Sequence, residues 1–91
     1  MSLEELYKII EERKEKMPKD SYVAFLFNEG LDRIIQKLGE ESTEVIIAAK
    51  NESKQRVISE AADLFFHTLV MLSYLGIKPS DIYEELDKRR K

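Results

Sequence analysis

Two pairs of acids share one spacing. Glu41 and Glu44 lie three apart in GEESTEVIIAAK, and Glu60 and Asp63 lie three apart in EAAD. Residues three apart project from the same face of a helix. Between the two segments lies the polar stretch NESK, Asn51 to Lys54, which reads as a turn. An antiparallel hairpin centred near Glu52 puts Glu44 eight residues before the centre and Glu60 eight after it. Glu41 and Asp63 fall eleven residues to either side. Glu44 therefore faces Glu60 and Glu41 faces Asp63, roughly 12–17 Å from the turn at the α-helical rise.

Four carboxylates this close repel one another, and holding them ionised and partly buried costs several kcal/mol. A hard cation removes that cost. Oxygen-only ligation with no cysteine or histidine in the square suits Mg²⁺, with Mn²⁺ as a substitute, and Mg²⁺ in turn commonly serves a phosphate substrate. The competing reading is that the acids are solvated helix faces. Against it, Glu41 lies between Leu38 and Val45 on an apolar stripe, and Asp63 adjoins Ala62 and Leu64. A di-iron carboxylate bundle is disfavoured because its Glu-x-x-His pairs are missing.

Three neighbours carry weaker signals. Lys37 lies one turn before Glu41 and, by the same counting, faces His67. It is placed either to meet phosphate or to form a surface salt bridge. His67, the only histidine, sits on a strongly apolar helix and reads as a hydrogen-bonded core residue rather than a ligand. Gly39 stands in a helix interior, where it costs about 1 kcal/mol relative to alanine. It is either a tolerated defect or a place of close approach to Glu40.

The elements that must position these residues are all helical. The chain has 91 residues, three glycines, two prolines and no alternating strand pattern, so a single all-α domain over residues 1–91 is expected. Ser2 caps a first helix, Glu5 completes a capping box, and Pro18 ends the element. Asp20 or Ser21 caps a short second helix that stops at Gly30. A third helix opens at Asp32 and runs to about Lys50, and a fourth runs from about Lys54 to Leu75. Pro79 and Ser80 begin a fifth, with Lys88, Arg89 and Arg90 in its last turn as the helix dipole prefers.

No cysteine is present, which excludes disulfides and thiolate metal sites. The net charge of −3 offers no basic field for nucleic acid. No apolar run approaches the about 20 residues of a membrane span. The N-terminus is acidic and amphipathic, unlike a signal peptide. A cytoplasmic location is expected. The second half of the fourth helix, from Leu64 to Leu75, leaves almost no polar face. Such a helix must be surrounded, and so few other helices can hardly wrap it. A homodimer that completes the bundle is expected, against the alternative of a monomer in which the first and last helices cover it.

The pattern EExxE followed one helix later by ExxD resembles the all-α nucleoside triphosphate pyrophosphatase superfamily, which contains the MazG and dimeric dUTPase proteins. SYVAFLFNEGLDRIIQKLGEESTEVIIAAKN followed by EAADLFFHTLVML narrows the resemblance to the phosphoribosyl-ATP pyrophosphatase family, over about Leu3 to Arg90. The resemblance implies Mg²⁺-dependent hydrolysis of phosphoribosyl-ATP to phosphoribosyl-AMP and pyrophosphate, the second step of histidine biosynthesis, by a dimer of helical bundles. It implies metal ligation by Glu41, Glu44, Glu60 and Asp63. Glu40 would lie beside them as outer ligand or as base for the attacking water, Lys37 would meet phosphate, and Ser21 and Tyr22 would help form the phosphoribosyl pocket. The cyclohydrolase domain often fused to this activity is absent from the sequence, which matches a stand-alone form. A house-cleaning nucleotide pyrophosphatase and a non-catalytic helical dimer are the competing readings.

Overall fold

The computed structural model describes residues 1–51 and 53–90. Five α-helices follow one another: α1 (Leu3–Lys16), α2 (Tyr22–Glu29), α3 (Leu31–Asn51), α4 (Lys54–Tyr74) and α5 (Pro79–Arg89). No strand occurs among the described residues. The helix ends follow local chemistry. The Ser2 hydroxyl oxygen accepts from the Glu5 amide at 3.1 Å, while its O–H points to the Glu5 carboxylate. That differs from the expected capping box, in which the carboxylate would take the Ser2 amide. Met17 closes α1 in the left-handed region (φ 48°), with its N–H on the Arg13 carbonyl, and Pro18 blocks continuation.

Ser21, rather than Asp20, caps α2 by accepting from the Ala24 amide at 3.1 Å. Gly30, at φ 96°, adopts a conformation other residues rarely take, and this lets α3 begin one residue after α2 ends. α3 and α4 form the expected antiparallel hairpin and the most extensive helix pair in the molecule. The connection is shorter than NESK. Asn51 ends α3, Ser53 caps α4 by accepting from the Arg56 amide, and Lys54 is already helical. The centre of the expected turn, Glu52, lies outside the described residues.

The core gathers Ile10 from α1, Val23 and Leu26 from α2, Ile34 from α3, and Leu69, Val70 and Leu72 from α4. Polar ties fix α1 to the far end of α4. The Lys14 ammonium donates to the Ser73 carbonyl at 2.7 Å, the buried Ser73 hydroxyl bonds the Glu11 carboxylate, and the Tyr7 hydroxyl donates to the Ile77 carbonyl at 2.9 Å. α5 is held through α1, in part by Tyr83 on Glu4.

One expectation needs correcting. α4 spans 21 residues and contains a window of mean hydropathy 1.2, so by length and composition it meets the measure of a membrane span. Glu60, Asp63 and His67 interrupt the apolar run, whereas a window average tolerates a few polar positions. The buried polar residues argue for a core helix here, because Glu60, His67 and Ser73 lie inside the fold and two of the three hydrogen-bond to other helices.

A substantial apolar surface stays uncovered. Phe65 is 55% exposed in the middle of α4, and Ile46 and Ile58 are also exposed. Beside Phe65 runs an apolar groove of about 560 Å³ between Leu3, Leu38, Leu64, Leu72 and Ile82. The radius of gyration is 14.2 Å, against about 12 Å for a compact chain of this length. α1 packs against the C-terminal half of α4 but leaves Phe65 uncovered.

Candidate active site

α3 and α4 bring three of the four expected metal ligands together. Single carboxylate oxygens of Glu41, Glu60 and Asp63 lie within 4.8 Å of one another. Glu60 is buried, Glu41 partly buried and Asp63 exposed, so the group forms a slot that opens to solvent from a closed floor. Glu44 is exposed and stands outside the group. Three residues turn a helix by 300°, so Glu44 is rotated about 60° from Glu41 toward solvent.

The electrostatics of the slot favour positive charge. Burial and the neighbouring Asp63 push the Glu41 carboxyl up from its ordinary value, and Glu60 adds to this, while His67 and Lys37 act in the opposite sense. Arg56, one turn before Glu60 on α4, donates to the Glu60 carboxylate at 2.9 Å. The donor set fits a hard divalent ion. Three carboxylates converging from two helices, with no nitrogen or sulfur among them, are the ligands such an ion would take.

Two supporting structures flank the slot. The first is Tyr22, whose ring stacks between Phe25 and Phe66 at centroid distances of 6.2 and 6.0 Å. Its hydroxyl lies 3.0 Å from Nε2 of buried His67, and His67 Nδ1 lies 2.7 Å from the Asp63 carbonyl. A carbonyl only accepts, so Nδ1 carries the proton. In the neutral ring Nε2 then accepts from Tyr22. His67 is thus the hydrogen-bonded core residue that its apolar surroundings imply, and it couples Tyr22 to the backbone of Asp63. Burial pushes the Tyr22 hydroxyl up; Lys37 and Arg33 act against this, while Glu41 and Asp63 reinforce it. Ser21 serves as the cap that starts α2 and thereby places Tyr22.

The second flank is a polar row on α3. Lys37 pairs with Glu40 at 3.4 Å, Gln36 donates to Glu40 at 3.2 Å, and Arg33 donates to Gln36 at 3.3 Å. Glu40 is exposed and 100° around the helix from Glu41, so it lies beside the slot rather than in it. Lys37 is mostly buried, with 23% of its side chain exposed. At Gly39 a built Cβ would meet nothing within 4 Å, so that surface is open. Sequence reasoning missed Arg56 and Arg33. The available signals were R-x-x-x-E at Arg56–Glu60 and R-x-x-x-K at Arg33–Lys37, both four-residue helix spacings.

Known proteins resemble this sequence along nearly the whole chain. The family model described as phosphoribosyl-ATP pyrophosphohydrolase matches residues 3–90. A protein of Saccharolobus solfataricus named phosphoribosyl-ATP pyrophosphatase is 51% identical over 89 residues, covering 98% of this chain and 95% of the relative. Proteins with the same name from Geobacter sulfurreducens and Clostridium acetobutylicum are 48% and 49% identical, each over 96% of this chain and over 81% and 79% of their own lengths. The family match over residues 3–90, with identity near one half across almost the whole chain, places this chain in the phosphoribosyl-ATP pyrophosphohydrolase family.

Proposed function

We propose that this protein is a cytoplasmic, homodimeric enzyme that hydrolyses phosphoribosyl-ATP to phosphoribosyl-AMP and pyrophosphate with a divalent cation, Mg²⁺ or Mn²⁺. The observation that carries the reading is the convergence of Glu41, Glu60 and Asp63 from two helices into one slot. Those three would hold the cation, with Glu44 reaching it by a change of rotamer. When bound, the cation would supply positive charge to orient the phosphates and offset charge developing on the leaving pyrophosphate.

The protein's own groups account for the rest. Lys37, at the edge of the slot, binds phosphate and fixes the chain of the substrate along α3. Glu40 lies beside the slot and is exposed, so it is positioned to take a proton from an attacking water once phosphate draws Lys37 away from it. Tyr22, raised on the cap made by Ser21, presents an aromatic wall and a hydroxyl at the end of the slot nearest α2. That wall suits the phosphoribosyl end. The exposed Phe65, the apolar groove and the extended radius of gyration support a second copy of this chain packed on α4.

Turnover of phosphoribosyl-ATP compared with ATP, dUTP and dCTP tests the assignment. Preference for phosphoribosyl-ATP by at least about 100-fold in kcat/KM is expected. Equal or better turnover of the ordinary nucleotides would assign a house-cleaning role instead, and absence of any Mg²⁺-dependent turnover would leave a non-catalytic dimer.

A further inference from the structure

Arg33, Lys37 and Glu41 follow one another at four-residue steps on α3, so all three lie along one face. Two cations one turn apart repel, and a helix usually relieves this with an acid. Glu40 serves Lys37 in this way, but no acid serves Arg33 among the described residues. Among the described residues Arg33 has no carboxylate within ion-pair distance, and its guanidinium reaches only the neutral Gln36 oxygen at 3.3 Å. Its Nε–H is buried and finds no acceptor among the described residues. A buried donor on a charged group left without a partner is costly. The Tyr22 hydroxyl locates the pair, because Arg33 and Lys37 favour its ionisation while Glu41 and Asp63 oppose it. Charges of both signs therefore act on this one hydroxyl.

The distance along the helix decides what Arg33 would meet. Arg33 precedes Glu41 by eight residues, about 12 Å of axis, and helical side chains lean toward the N-terminus, away from the acid group. A guanidinium there is too far from the metal slot to share its phosphate oxygens. We propose that Arg33, together with Lys37, seats a phosphoryl group of the substrate that the divalent cation does not hold. This rests on the nucleotide-hydrolase reading of the acid slot. The planar fork of Arg33 matches a phosphoryl group through paired N–H donors, including the buried Nε–H. Two parts of the substrate share that chemistry: the distal end of the leaving diphosphate and the 5′-phosphate of the phosphoribosyl group.

Equilibrium titration of the Mg²⁺-saturated protein with inorganic pyrophosphate and with ribose 5-phosphate separates these. Arg33→Gln should weaken one of the two probes at least about tenfold, the loss expected for a hydrogen bond to a charged group. Arg33→Lys, which keeps the charge but not the fork, should fall between wild type and Arg33→Gln. Mn²⁺ affinity and helical content should match wild type in both variants. Loss for pyrophosphate assigns the leaving group, and loss for ribose 5-phosphate assigns the phosphoribosyl end. If Arg33→Gln does not fold, Arg33→Lys decides alone, and probe affinity equal to wild type then overturns the proposal. It is likewise overturned if both probes bind Arg33→Gln as they bind wild type, if neither probe binds wild type, or if Mn²⁺ affinity falls in parallel with probe affinity. A wild-type protein that ignores phosphoribosyl-ATP but loses probe affinity on Arg33→Gln would keep the anion seat and remove the substrate assignment.

Discussion

Replacing Glu41 with glutamine should stabilise the metal-free protein. Glu41 shares a slot with Glu60 and Asp63, all within 4.8 Å. Two unit charges at that separation repel by about 1 kcal/mol in a water-like medium and by about 3.5 kcal/mol at an effective dielectric of 20. Asp63 is exposed and Lys37 opposes the repulsion, so a net relief of about 1–2 kcal/mol is expected. For a domain of this size that raises the melting temperature by about 5–15 °C. The pH dependence has a definite sign. The native state binds the Glu41 proton more tightly than the unfolded chain does, because the folded value is raised. Stability therefore falls as pH rises from the ordinary glutamate value through the native one, and stays low above it. The advantage of Glu41→Gln should be full at neutral pH and vanish below about pH 4. Mg²⁺ at about 100 times its dissociation constant should add about 2.7 kcal/mol to wild type and clearly less to the variant. Thermal melts of both proteins with EDTA and with Mg²⁺, at fixed protein concentration, test this. Equal melting temperatures in EDTA together with equal gains from Mg²⁺ would refute the reasoning.

Three further outcomes are expected. Arg56→Gln removes a cation that competes for Glu60, so Mn²⁺ should bind about two- to fivefold more tightly, the worth of a half-exposed pair; electron paramagnetic resonance titration reads this, and weaker binding would contradict it. Ser21→Ala removes the α2 cap and should cost about 1 kcal/mol, lowering the melting temperature by about 4–8 °C; an unchanged melt would show the cap to be idle. Phe65→Glu places a charge on the uncovered face of α4, so light scattering should report a monomer where wild type is a dimer, and a wild-type monomer at micromolar concentration would remove the interface altogether.

Much of this architecture is legible in the residues. The helices declare themselves through caps and stops, because Ser2, Ser21, Gly30, Gly76 and Pro79 act locally and need no tertiary partner. Counting outward from Glu52 correctly pairs the Glu41 region with the Asp63 region, since antiparallel helices share one rise per residue. The count says nothing about rotation around each axis. Burial of Ile34 and Ala48 on α3 and of Leu69, Val70 and Leu72 on α4 sets that rotation, with Glu60 in the slot and Glu44 outside it. The partners of Glu60 and Tyr22 escaped for a related reason. Arg56 looks like any surface arginine until burial of Glu60 gives it a role, and the Tyr22–His67 bond joins residues 45 apart in sequence.

The central claim is that the Glu41–Glu60–Asp63 slot carries out a pyrophosphohydrolysis. Phosphorus NMR of the products formed from phosphoribosyl-ATP and Mg²⁺, for wild type and for Glu60→Gln, tests it most directly. Wild type should give phosphoribosyl-AMP and pyrophosphate in equal amounts, and Glu60→Gln should retain its helicity while turnover drops by at least about 100-fold. Release of orthophosphate by wild type, or near-normal turnover by Glu60→Gln, would contradict the account.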